Sequence, residues 1–187
     1  MAYLTKEVLM GMGFKALGEN VKVSDRASIY NPETIEIGDH SRIDDFCVIS
    51  GRIKIGSYVH IAPFCLVAGG DVGITMADFS GLAYGVQVFS QSDDYSGGTL
   101  TNPTVGDKYK RERKAAVYIG RHVIIGASSI VFPGVDLADG CSVGAMTLVN
   151  KSTQPWGIYS GNPARRIKDR KRDLLALEAQ FVKEQQE

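Results

Sequence analysis

The chain has 187 residues, 44% of them hydrophobic, which is the size of one domain able to bury a core. Its 21 basic residues balance 21 acidic ones, and a net charge of +0 argues against nucleic acid or an acidic membrane surface as a partner. No apolar run is long enough to span a bilayer and the N-terminus lacks the apolar block of a secretory signal, so a cytoplasmic location without membrane insertion is expected.

Residues 1–14 read as a short helical cap, with Thr5 as its N-cap, Leu4 and Leu9 placed for a hydrophobic staple and Gly13 able to end it. It is expected to cover the first coil of a repeat. From residue 20 to 88 the chain shows a six-residue rhythm. Val23 and Ile29 lead it, then Ile37, Ile43 and Ile49, then Ile55, Ile61 and Val67, then Met76, Leu82 and Val88. Ile37 and Ile55 lie 18 residues apart, or three hexads, so three flat sides per turn are expected. Between Val67 and Met76 the frame slips, and Gly69–Gly70 suggests a bulge or corner loop there.

Residues 89–116 break the rhythm with a polar, turn-rich and charged excursion. Inside a compact repeat such a segment is usually functional or disordered, and a functional loop is expected here. The rhythm returns over 117–154 in its clearest form. Ile119, Ile125, Val131, Leu137, Val143 and Val149 take the first position of each hexad, and Val123, Ser129, Val135, Cys141, Thr147 and Thr153 the fifth. A period of six fits neither a helical repeat nor unbroken two-residue alternation; it fits short strands joined by tight corners, coiling into a β-solenoid. Cys47, Cys65 and Cys141 all fall at fifth positions, where a thiol packs as a small apolar group. Neither zinc nor a disulfide is expected. After Pro155, GNPARR at 161–166 reads as a turn, and Ala164 to Glu187 as a helix carrying Ile167, Leu174, Leu177 and Phe181 on one stripe.

The hexads, with VNK at 149–151 and GNPARRIK at 161–168, resemble the left-handed parallel β-helix acyltransferases, the hexapeptide-repeat family, and within it the galactoside and maltose acetyltransferases. SDDYSGGTLTNP at 92–103 resembles sugar acetyltransferases of surface-polysaccharide pathways, including those that acylate amino sugars on a nucleotide carrier. The resemblance covers about residues 20–170. It implies an all-β triangular prism in a single domain, a homotrimer with active sites in the clefts between subunits, acetyl-CoA as co-substrate, and a sugar or sugar nucleotide as acceptor. The left hand comes from the resemblance alone, since local rules favour right-handed crossovers.

The resemblance also implies site residues. Ala127 and Ala145, one turn apart, match backbone contacts to the pantetheine arm. Gly126 and Gly144 either make room for it or simply fit the prism corners. Lys151, Arg165 and Lys168 match positions near the phosphate end, where cations suit phosphate, and Asn150, beside Lys151, lies where a Thr is common. The galactoside enzymes carry a basic His in the loop that leaves the first block. Here that position falls on Asp94, and no His occurs in 61–121.

An ordinary Asp, with a pKa of about 3.9, is a weak base for a hydroxyl unless burial or a neighbour such as Asp93 raises that value. An amine acceptor asks only to be oriented and relieved of a proton. The pair Asp93–Asp94 therefore favours N-acylation of an amino-deoxysugar over O-acetylation of a glycan hydroxyl. His60, near family positions that touch the acceptor, is a second catalytic candidate. Ser80, Ser90 and Ser92 could donate to the thioester oxygen. Related amino-sugar enzymes tend to carry Ser where this chain has Ala83–Tyr84, so Tyr84 could supply the hydroxyl instead. His40 and His122, at fourth positions, read as surface or interface residues. With His60 they are too scattered for the three-histidine metal site known on this fold, so no metal is expected. A non-catalytic trimeric scaffold using loop 89–116 as its binding surface is the remaining alternative.

Overall fold

The computed structural model describes residues 2–185. Its parallel strands stack into three faces of a prism. The first face comprises Ala16–Leu17, Ile35–Ile37, Ile53–Ile55, Ile74–Met76, Val117–Ile119 and Asp136–Leu137. The second runs from Lys22–Val23 through Arg42–Ile43, His60–Ile61, Gly81–Leu82, Ile124–Ile125 and Ser142–Val143 to Gly157–Ser160. The third comprises Ser28–Tyr30, Val48–Ser50, Leu66–Ala68, Gln87–Phe89, Ile130–Val131 and Leu148–Val149.

The first-position residues form three ladders: Ile37–Ile55–Met76–Ile119–Leu137, Ile43–Ile61–Leu82–Ile125–Val143 and Ile49–Val67–Val88–Val131–Val149. Every rung is buried, so the hexad frame is the core itself. The fifth-position residues close the core at the corners, and the three cysteines are buried there as free thiols.

Most corners carry a residue in the left-handed region. His40, Tyr58, Phe79 and His122 supply it between the first and second faces, at φ of 57° to 59°. That conformation is uphill for bulky residues. Their rings recover part of the cost by stacking, with centroids 4.8 Å apart for His40–Tyr58, 4.9 Å for Tyr58–Phe79 and 5.3 Å for Phe79–His122. The frame slip after Val67 is a tight turn closed by Gly73 N–H donating to Gly69 O at 2.8 Å, with φ of 48° at Gly70 and 96° at Gly73.

Helix α1 spans Lys6–Gly11, and the Thr5 hydroxyl accepts from Val8 N–H at 3.4 Å. Leu9 is buried under it and covers the first coil. Thr5→Ala is expected to cost about 1 kcal/mol in thermal or urea unfolding. Met1, within the expected cap, lies outside the described residues.

The C-terminal segment departs from expectation. Arg165–Asp169 is not the start of a helix but a strand, antiparallel to Gly157–Ser160. The reason is tertiary: the last coil leaves a sheet edge unpaired, and satisfying its backbone outweighs the weak helical preference of this stretch. Ile167 is consequently exposed rather than part of a helical stripe. Helix α2 begins only at Leu174 and runs to Glu184; Gln186 and Glu187 lie outside the described residues. It rests on the aromatic corner, with Phe181 edge-on to Tyr58 at 5.2 Å. Glu178 accepts from His122 Nε2 at 2.7 Å and pairs with Arg121. His122 is therefore buried beneath α2 rather than a free surface residue. Burial first, then Arg121 and Arg170, push its pKa down. Among the described residues no helix is long and apolar enough to cross a membrane.

Candidate active site

Most candidate residues fall on or beside the two opposite edges of the third face, while His60 and Ser80 belong to the second. At the corner joining the second and third faces, the register stacks Tyr84, Ala127 and Ala145 in one column. Backbone links tie it together: Ser128 N–H donates to Tyr84 O at 2.9 Å, and Met146 N–H to Ala127 O at 2.8 Å. Arg165 pairs with Ser160 beside the last coil, and Lys168 pairs with Ile158; both are exposed. This edge is a rail of small side chains with cations at its far end and the exposed phenol of Tyr84 at its head.

Gly126 and Gly144 make that rail possible in different ways. A Cβ on Gly126 would stand 2.5 Å from Ala145 N and 2.7 Å from Gly144 C, so this glycine is required by coil stacking itself. A Cβ on Gly144 would meet the Ser160 hydroxyl at 2.9 Å, a softer obstacle.

Tyr84 also borders a groove of about 730 Å³ on the outer side of the second face. Gly81, Ala62 and Ala83 form its floor, α2 one wall, and His60 and Ser80 also line it. The Ser80 hydroxyl is buried there without a hydrogen-bond partner among the described residues. His60 stands beside two residues that the sequence did not single out. Its Nε2 lies 2.8 Å from Asp44 Oδ2, and Arg42 reaches the same oxygen at 2.8 Å. Their one sequence signal was the spacing of Arg42 and His60, a full turn of 18 residues, with Asp44 two positions on.

The other edge is the corner from the third face to the first. The excursion leaves it after Gln87–Phe89 and returns at Val117–Ile119, with Gln91–Ser92 pairing antiparallel with Arg113–Lys114 at its base. Asp93 accepts from Asn102 N–H at 3.3 Å. Asp94 accepts from Ser96 N–H at 2.8 Å and from the Thr99 hydroxyl at 3.0 Å. Hydrogen bonds from Ser96 and then Thr99, aided by Arg111, hold Asp94 below the usual carboxylate range. These donors stabilise the charged form, so Asp94 is not the raised-pKa carboxylate that a hydroxyl acceptor would require. Asn150 and Lys151 are exposed on this same edge. Ser90 is fully buried and donates its hydroxyl to Gly69 O at 2.5 Å, so it is not free to donate to a substrate; the Ser92 hydroxyl bonds Asp93 O at 3.4 Å. One chain thus brings Tyr84, His60 and Ser80 together, but not with Asp94 or Lys151.

A hexad-built prism with a small-residue rail on one edge and a carboxylate loop on another defines the class as the hexapeptide-repeat transferases. Residues 34–69 match the family described as bacterial transferase hexapeptide, six repeats. A dTDP-4-amino-4,6-dideoxy-D-glucose acyltransferase from Escherichia coli is 42% identical over 184 residues, spanning 97% of this chain and 95% of its own. AntD, an N-acyltransferase from Bacillus cereus, superposes with a TM-score of 0.97 at 46% identity over 98% of each chain, as a variant in complex with dTDP-4-amino-4,6-dideoxyglucose and coenzyme A. In complex with dTDP and 3-hydroxybutyryl-CoA it gives a TM-score of 0.97 at 45% identity, over 99% of this chain and 98% of its own. The chain belongs to the hexapeptide-repeat acyltransferases, and its fold is their left-handed parallel β-helix.

Proposed function

We propose that the protein transfers an acyl group from acetyl-CoA or a related acyl-CoA to the amino group of a dTDP-linked amino-dideoxysugar. The observation that carries this reading is the likeness, along nearly the whole chain, to an enzyme of that activity. The chemistry at Asp94 supports it. A carboxylate held ionised by Ser96 and Thr99 suits an amine, which needs orientation and a proton acceptor, better than a hydroxyl, which needs a stronger base. The acyl-CoA lies along Tyr84, Ala127 and Ala145, with Arg165, Lys168, Lys151 and Asn150 toward its phosphates. Asp93, Ser80 and Ser92 border the acceptor. A cytoplasmic role in surface-polysaccharide or lipopolysaccharide synthesis fits such a substrate. Thiol release measured across dTDP- and UDP-amino sugars and simple galactosides tests the assignment. Turnover is expected with dTDP-amino sugars, and turnover with hydroxyl acceptors alone would overturn it.

The working unit in this reading is a homotrimer whose sites form between subunits. The two half-sites lie on different edges of one prism, and a rotationally closed ring brings one edge of each subunit against the other edge of its neighbour. Mixed trimers test this. Asp94→Asn and Ala127→Trp chains, each poorly active alone, should on co-assembly recover about a quarter of the wild-type clefts. No recovery would place the whole site within one chain.

A further inference from the structure

Asp44 breaks a rule of the repeat. It follows the first-position Ile43 on the second face, and the equivalent residues in the later coils are Ala62, Ala83, Gly126 and Gly144. A carboxylate stands where the fold otherwise asks for a small apolar group. Its side chain is only 2% exposed, and burying a charge is costly unless donors surround it. Here three converge: His60 Nε2 and Arg42 on Oδ2, each at 2.8 Å, and the Tyr3 hydroxyl on Oδ1 at 3.2 Å. Burial alone would raise the Asp44 pKa, but the hydrogen bonds from His60 and Arg42 outweigh it and keep the group a carboxylate.

The shorter contact at His60 Nε2 is to the ionised Asp44, which calls for a donor there. Arg42 lies 3.0 Å from His60 Nε2, yet both are drawn to the same carboxylate oxygen. With Nε2–H donating to Asp44, the neutral ring leaves its lone pair on Nδ1. Among the described residues Nδ1 has no hydrogen-bond partner, and the side chain is 47% exposed on the groove that Tyr84 borders. The other charged groups facing this space, Glu178 and Arg170, are committed elsewhere, and its remaining titratable groups are His122 under α2 and the phenols of Tyr58 and Tyr84. Glu178 holds Arg121 and His122, and Arg170 donates to the carbonyls of His122, Gly140 and Cys141. A purely structural tie would need no imidazole with a free nitrogen turned toward a groove.

We propose that Asp44 is a positioning residue for His60, fixing the imidazole so that Nδ1 takes a proton from the acceptor's ammonium group. This rests on the amino-sugar reading above. An amino sugar arrives largely as R–NH3+, which has no lone pair to attack with. Transfer of one proton to Nδ1 leaves R–NH2 and an imidazolium whose charge Asp44 offsets. The amine lone pair then forms the C–N bond to the thioester carbon and the C–S bond breaks. The thiolate leaves and takes the second proton from nitrogen, giving amide and free thiol. His60 returns its proton to solvent, so each turnover from the ammonium form releases one proton. Asp94 orients the amine; His60 makes it nucleophilic.

The test is the pH dependence of kcat/KM for the amino sugar in the wild-type enzyme and in Asp44→Asn and His60→Gln. At about pH 7 both variants should lose on the order of tenfold to a hundredfold, with acyl-CoA KM unchanged. The deficit should close toward about pH 9, where solvent deprotonates the amine without help. A merely structural role would lower the rate equally at every pH. That result, or no deficit in His60→Gln, overturns the proposal. Should Asp44→Asn fail to fold, the half-exposed His60 still carries the test. Wild-type turnover is measured first: none with any amino sugar removes the functional reading itself, whereas an active wild type with a pH-independent deficit removes this dyad alone.

Discussion

Asp94→Asn is expected to lower kcat on the order of a hundredfold while leaving acyl-CoA KM close to wild type. The substitution keeps an oxygen able to accept from Ser96 N–H, so the loop turn survives. In the proposed reading, what it removes is the charge that draws and orients the amine. Because the hydrogen bonds from Ser96 and Thr99 depress the Asp94 pKa, the group stays ionised throughout the neutral range. Loop order depends on the same charge. Its contribution is present above the ordinary carboxylate value of about 4 and is lost as pH falls through the lowered folded value. Steady-state kinetics with each substrate varied in turn checks the prediction. Near-normal kcat would move the amine's anchor away from this loop.

Gly126→Ala is expected to destabilise the fold by about 1–3 kcal/mol, lowering the melting temperature by several degrees at fixed protein concentration. The added carbon meets backbone atoms of the next coil, at 2.5 Å and 2.7 Å, and backbone in a hydrogen-bonded ladder has little room to yield. Gly144→Ala meets the Ser160 side chain instead and should cost less. Thermal melts of the two variants, compared with acyl-CoA KM, separate stacking from ligand clearance. An unchanged melting temperature with a raised KM in Gly126→Ala would show that the glycine serves the ligand alone.

The contrast between these two sites reflects what kind of information each carries. The prism was legible because its core is a local periodicity. Ile119, Ile125 and Val131 recur at six because each strand contributes one inward residue before the next corner, and no distant partner is needed to see it. The slip after Val67, the excursion from Phe89 and the burial of the thiols come from the same frame. So does the column of Tyr84, Ala127 and Ala145, since all three hold the third position of their hexads.

Features set by pairing between distant segments were not legible. Arg165–Asp169 is a strand only because Gly157–Ser160 offers it an open edge. His122 is buried only because Glu178 on α2 folds back over it. The donors to Asp44 come into view only once Arg42, His60 and Tyr3 are brought around it. The sequence by itself thus determined the repeat, its register and the residues that could bear chemistry. The tertiary structure alone decided which of them meet, because burial periodicity is written in neighbouring residues whereas charge pairing and edge pairing exist only once the coils are stacked.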